Sequence, residues 1–423
     1  MRFRVVLSLI VTMGLVLNIP QISFSAVTPK AGAVCSKLGK KQNSAGKTFT
    51  CVKKGKKLVW NQGVVITKPS PVTSPSPTVS PSPEPTPAPT VSIAPTPTPE
   101  ITPTPTPEIT PTPTSFDDLY ETRKGISLAA WSKLSQTLEA NSVRTNSMDV
   151  YTGINTFPFF DDYPKMVGLV SRAFPKQAIP EKVIVIRYQY VDLNWAENLL
   201  QQKISANDYM WLQRNEGNQP TASNCEASAR NCRGSKQQTT VSGIALILQG
   251  VENSANGYDP TFKARSQTGM LEVHEYFHSL QRIPIMNRGV NIWPHAWFRE
   301  GSAEWVQNAV VNYKDFKSYK DFMKADCGPS CLRMTEQQIK EFLDLANENF
   351  LPAKFDQFLN YSMGSFVIEA LVALKGQESL IEMYAAMGRK LSFEEAFKEI
   401  YGAEWSKAKE ILAKTVYANI NGL

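Results

Sequence analysis

Residues 64–115 can hold no hydrophobic core, and this fixes how the rest of the chain can fold. The stretch is dominated by Pro, Thr and Ser in repeats such as Pro103-Thr104-Pro105-Thr106-Pro107. Proline locks φ and removes a backbone donor, so the segment favours extended polyproline II. At about 3.1 Å per residue, roughly fifty residues span about 150 Å. It reads as a disordered Pro/Thr-rich linker, and the globular parts must form separately on either side of it.

Residues 1–25 read as a signal peptide: Arg2 and Arg4 precede the apolar run Val5 to Leu17, and Ser23-Phe24-Ser25 offers a small-residue cleavage site. That run is short for a membrane span, and no later stretch reaches about 18 continuous apolar residues. The expectation is a secreted protein with no transmembrane anchor. Six cysteines suit an oxidising compartment and stand as near neighbours, Cys35/Cys51, Cys225/Cys232 and Cys327/Cys331. Local pairing is the simplest of the possible connectivities.

Residues 26–63 hold nine lysines and no Asp or Glu, with Cys35, Cys51, Phe49 and Trp60 available to stabilise a small β-rich module. Subtracting +2 for the leader, +9 for this module and −2 for the linker from the formal +7 of the chain leaves −2 for residues 116–423. The basicity is therefore local. It suits a tether to an anionic surface such as a cell-wall polymer, held by screened electrostatics. A solubilising cap without a partner fits equally. Nucleic acid is not expected as a partner, because the chain looks exported and carries no recognisable binding motif.

From residue 116 onward the chain is long enough for one large two-lobed domain, with an α/β lobe over 116–285 and a helical lobe over 286–423. The patterning predicts a helix over Leu119–Leu138, an extended Met148–Gly153, a strand over Val183–Tyr190, a helix over Leu193–Gln202 and a strand over Val241–Gly250. Ser392 and Glu395 form a capping box, and Gly376, Gly388 and Gly402 fall where helices should end. The fold class expected is α+β: a mixed sheet with an active-site helix, then a mainly helical lobe.

The chemistry concentrates at His274-Glu275-Tyr276-Phe277-His278, which uses two of only three histidines. Histidines at i and i+4 share one helix face and can hold one Zn²⁺ per chain, with the Glu at i+1 beside the metal's open position. Met270, Val273, Phe277 and Leu280 form an apolar stripe beside that face. A third ligand is offered by Trp297-Phe298-Arg299-Glu300-Gly301-Ser302-Ala303-Glu304-Trp305. Here the chain resembles the gluzincin zinc metallopeptidases of the peptidase MA-like group, whose second metal helix carries a similar E-G-x-A-E segment. The resemblance implies His274, His278 and Glu300 as ligands with water in the fourth position. It also implies Glu304 as the partner of the other nitrogen of His274; a solvated helix-surface Glu is the alternative. His295 is not expected to bind metal: the metzincin pattern would put a third His at position 284, which is Pro284, and a hydrogen-bonded cleft residue is the simpler reading.

Downstream, Tyr361-Ser362-Met363-Gly364 resembles the Y-x-x-G helix opening of the aminopeptidase branch, which implies Tyr361 as a donor to the developing oxyanion. Taken alone it could equally be a core aromatic. Zinc would polarise water and the scissile carbonyl while Glu275 acts as general base. The substrate implied is a peptide or protein, including cell-wall cross-bridge peptides. The G-x-M-E-N segment that grips a free amine is missing, which favours an endopeptidase. Val241–Gly250 fits either the sheet-edge strand that pairs with substrate or a buried central strand. A catalytically inactive peptidase-like protein that binds a cell surface through the Lys-rich module is the alternative from another functional class.

Overall fold

The computed structural model describes residues 31–34, 41–44, 47–55, 57–62, 64–65, 111–144, 146–253, 260–286, 293–345 and 355–423. The expected leader over 1–25, Cys35 and residues 66–110 of the expected linker lie outside them. The chain divides into two compact units, one through Ile101 and one from Thr102 onward.

In the first unit, β2 (Lys47–Lys54) pairs antiparallel with β1 (Lys41–Ser44), β3 (Lys57–Trp60) and β4 (Val64–Val65). Phe49, Cys51 and Trp60 form its buried cluster. Cys51 is disulfide-bonded, and the expected partner Cys35 is among the residues not described. Lys47, Lys53, Lys54 and Lys57 are exposed.

The second unit is α+β. Its order is α1 (Ile126–Ala140), β5 (Ser147–Thr152), α2 (Tyr163–Ala173), β6 (Lys182–Tyr188), α3 (Leu193–Lys203), α4 (Ala206–Glu216), the short hairpin β7 (Cys225–Glu226) and β8 (Asn231–Cys232), β9 (Gly234–Thr239) and β10 (Ala245–Gly250). Helices follow: α5 (Pro260–Thr268), α6 (Met270–Arg282), α7 (Ala296–Val311), α8 (Phe316–Leu332), α9 (Glu336–Leu343), α10 (Ser362–Lys375), α11 (Glu378–Gly388), α12 (Phe393–Tyr401) and α13 (Trp405–Asn421).

The main sheet runs β5-β6-β10-β9, with β5, β6 and β10 parallel and β9 antiparallel to β10. Successive side chains on a strand point to opposite faces. Val183, Val185, Ala245 and Ile247 accordingly join the large core with α1, α2 and α6, whereas Ile184, Ile186, Leu246 and Leu248 pack against Ala196 and Leu200 of α3 and Leu212 of α4. Covering on both faces explains why β6 and β10 read as continuous apolar runs.

Of the two readings of Val241–Gly250, the structure selects the buried central strand, because β10 lies between β6 and β9 and all six of its residues are buried. The sheet edge beside β10 is β9, whose polar Gly-Ser-Lys-Gln-Gln-Thr carries no apolar alternation and so gave no strand signal. The first helix begins at Ile126 rather than Leu119, since residues 116–125 form turns and a short 3₁₀ segment. The Ser392/Glu395 capping box is present, Gly402 caps α12 in the left-handed region, and Gly376 and Gly388 mark the ends of α10 and α11.

Disulfides join Cys225 to Cys232 across the β7–β8 hairpin and Cys327 to Cys331 within α8, where the backbone breaks at Gly328. One core cluster crosses the expected lobe boundary at 285/286, containing Phe277 and Leu280 of α6 with Trp297 and Phe298 of α7. The stretch Gln357–Lys375 is long and apolar enough to cross a membrane. In this body α10 is a core helix, with Met363, Val367, Ile368 and Leu371 buried.

Candidate metal centre

Gly269 caps the start of α6 in the left-handed region with φ 88°, where a Cβ would come 2.6 Å from the Met166 sulfur. Only glycine meets both conditions without strain. Val273, Tyr276, Phe277 and Leu280 of the helix are buried in the large core, and Met270 is buried as well. His274 and His278, one turn apart, then share another face, with ring centroids 4.8 Å apart and planes at 82°.

α7 brings Glu300 between them. Its Oε2 lies 3.5 Å from His274 Nε2 and 3.3 Å from His278 Nε2. The three potential ligand atoms fall within 4.8 Å of one another. Two imidazole nitrogens and a carboxylate oxygen drawn this close together form a donor set that could hold a divalent transition metal.

Each donor is oriented from behind. Arg299 Nε donates to Glu300 Oε1 at 2.9 Å, which leaves Oε2 for the histidines. His278 Nδ1 lies 2.7 Å from Gln281 Oε1. Gln281 Nε2 in turn donates to the Arg299 carbonyl at 3.0 Å and to Ser302 Oγ at 2.7 Å, so its oxygen can only accept, and His278 presents Nε2 to the centre. On the far side of His274, Nδ1 faces Glu304 Oε2 at 3.6 Å. Glu304 is buried, not solvated: only 3% of its side chain is exposed.

Glu275 is buried on the strand side of the helix. Burial pushes its carboxyl up; the two histidines pull it down, Glu300 pushes it further up, and the backbone N–H of Gln237 on β9 pulls it down. Burial also disfavours the charged form of Glu300, but His278, His274 and Arg299 hold it well below the ordinary carboxylate range. For His278, burial disfavours protonation and Glu300 more than offsets it, so its pKa is raised.

Tyr361 sits at the start of α10 with its ring stacked on His274, centroids 5.8 Å apart and planes at 23°. Glu300, then burial, then Glu275 push its phenol up, so the hydroxyl remains a donor at neutral pH. The glycines of both segments explain this placement. A Cβ on Gly301 would lie 2.4 Å from the Gly364 carbonyl carbon, so α7 and α10 cross with their backbones in contact, bringing the segment of Tyr361 beside that of Glu300.

His295 lies elsewhere. Its ring is buried, stacks on Phe393 at 4.3 Å and has Nδ1 3.1 Å from the Leu343 carbonyl. It is hydrogen-bonded, but within an aromatic cluster rather than a cleft. Sequence reasoning missed Gln281, Arg299, Arg265 and the β9 backbone. Gln281 was findable as the residue one turn after His278; the others depend on contacts between elements distant in sequence. No family model, curated protein or solved structure matches this chain.

Proposed function

We propose that the chain is a secreted zinc metallopeptidase of gluzincin type, its second unit a two-lobed catalytic domain that hydrolyses peptide bonds, with endopeptidase action favoured. The observation that carries the reading is the convergence of His274, His278 and Glu300, with Glu275 and Tyr361 beside them. A metal held by those three side chains supplies Lewis-acid activation of water and of the scissile carbonyl. Glu275, which follows His274 on α6, accepts the proton of the attacking water and returns it to the leaving amine. Its burial keeps bulk water from competing for that proton. The Tyr361 hydroxyl makes no hydrogen bond among the described residues and is available to donate to the oxyanion. The edge of β9, whose Gln237 N–H points to Glu275, would provide backbone donors and acceptors to align an extended peptide.

The test uses the purified full chain, with zinc content and peptide hydrolysis measured on one preparation. Wild type should hold about one zinc, and Glu300→Ala should lose most of it. Glu275→Gln should keep the metal and lose roughly 10²–10⁴ in kcat; Tyr361→Phe should lose roughly 10²–10³ with KM little changed. Full zinc retention in Glu300→Ala sinks the ligand set. A metal-loaded wild type without turnover on a peptide library supports the inactive surface-binding alternative, and undiminished hydrolysis by Glu275→Gln ends the peptidase reading.

A further inference from the structure

The buried ion-pair cluster behind His274 belongs to three helices that contribute no metal ligand except through α7. Arg265 of α5 donates to Glu304 Oε1 from both Nη2, at 2.7 Å, and Nε, at 3.1 Å, and Nη2 also bonds Asp326 of α8. Gln307 Nε2 donates to that same Glu304 oxygen. Three donor atoms thus hold Oε1 and leave Oε2 alone to face His274 Nδ1. The guanidinium lies over Phe322, 5.5 Å from its centroid, so its plane is fixed by packing as well as by hydrogen bonds.

Both carboxylates of the cluster are less than a tenth exposed, in a site where a carboxylate oxygen left without a donor is costly. The remaining negative oxygen can be satisfied by an imidazole N–H. An acceptor 3.6 Å from Nδ1 favours the tautomer in which Nδ1 carries the proton and Nε2, the atom facing Glu300, is free to ligate.

We infer that Arg265 is a positioning residue of the metal centre: it acts through Glu304 to hold His274 in the tautomer and orientation that bind metal. The inference rests on the metal reading above and adds a residue from a helix outside every recognisable motif.

The experiment is a double-mutant cycle on the full chain, with zinc affinity measured by chelator competition and the His274 ring-nitrogen shifts read by NMR without metal. Arg265→Gln should weaken zinc binding about tenfold, the low end of the range for outer-shell partners. In a Glu304→Gln background the same change should have no further effect on affinity, because its route to the metal is already cut. Asp326→Asn, which removes the other limb of the cluster, should leave affinity within about twofold by the same reasoning. If Arg265→Gln does not fold, Arg265→Lys replaces it in the cycle: a point charge cannot reproduce the forked donation. Equal losses in both backgrounds, or an unchanged affinity in a folded Arg265 variant, would overturn the inference. A wild type that holds no zinc would overturn the metal reading, and the ring-nitrogen shifts would still decide whether Arg265 sets the His274 tautomer.

Discussion

The backbone contact between Gly301 and Gly364 makes a demanding prediction, because it joins the proposed ligand Glu300 to the proposed donor Tyr361. In Gly301→Ala the new methyl would sit 2.4 Å from the Gly364 carbonyl carbon and 2.6 Å from its Cα. Carbon atoms pack at about 3.5–4.0 Å, so α7 and α10 must part by roughly 1 Å. Overpacking of this kind costs about 1–3 kcal/mol. The better helix propensity of Ala returns at most about 1 kcal/mol. With the full return the net loss is up to about 2 kcal/mol, a fall in Tm of a few degrees at roughly 2–4 °C per kcal/mol. The functional loss should exceed the stability loss. Moving Tyr361 by about 1 Å relative to the metal ligands should lower kcat by roughly 10²-fold, whereas zinc binding, held by α6 and α7, should change far less. Calorimetry, zinc titration and peptide hydrolysis read the three effects separately. Gly168→Ala is the control: it lies inside α2 with Cβ 3.4 Å from the Val143 methyls, and it should leave Tm unchanged or slightly raised. Wild-type Tm and turnover in Gly301→Ala would show that the two helices do not touch at these glycines and would refute the reasoning.

Two further predictions test other parts of the chain. Burial pushes Glu369, the acceptor of the Tyr319 hydroxyl, up to about 7 from an ordinary 4.5, with that hydrogen bond pulling the other way. The folded state therefore keeps a proton that the unfolded state releases, and the stability this group contributes is full below pH 4.5 and lost as pH rises to about 7, some 3 kcal/mol in all. Glu369→Gln should gain on wild type by about that amount over this window in denaturant midpoints, and parallel pH profiles would sink the argument. The lysine-rich module should bind anionic cell-wall polymer or acidic vesicles at low salt and release them as ionic strength approaches about 0.5 M. Binding indifferent to salt, or none at low salt, would leave the solubilising cap as the reading.

How much of the site could be read from the sequence follows from the range over which each residue acts. His274, Glu275 and His278 are legible because their relation is set within one helical turn. Glu300 and Glu304 are legible as a pair for the same reason, although nothing in their spacing says that α7 returns to α6. Arg265 is not legible: its helix carries no apolar periodicity, and its role exists only where α5, α7 and α8 meet. β9 fails differently, since Gly-Ser-Lys-Gln-Gln-Thr is without an apolar side chain on either face, and Gln237 touches Glu275 through a backbone N–H that any residue but proline would supply. The two glycines stand between these cases. Their positions in the E-G-x-A-E and Y-x-x-G segments are visible, but the reason for them, a helix crossing too close for a methyl group, appears only when both are in space. Metal ligands must be particular residue types and so leave a signature, whereas the groups that orient them need only a donor or acceptor in the right place. Long-range packing chooses among many candidates for that task, and so the second layer of this centre is a property of the fold more than of any motif.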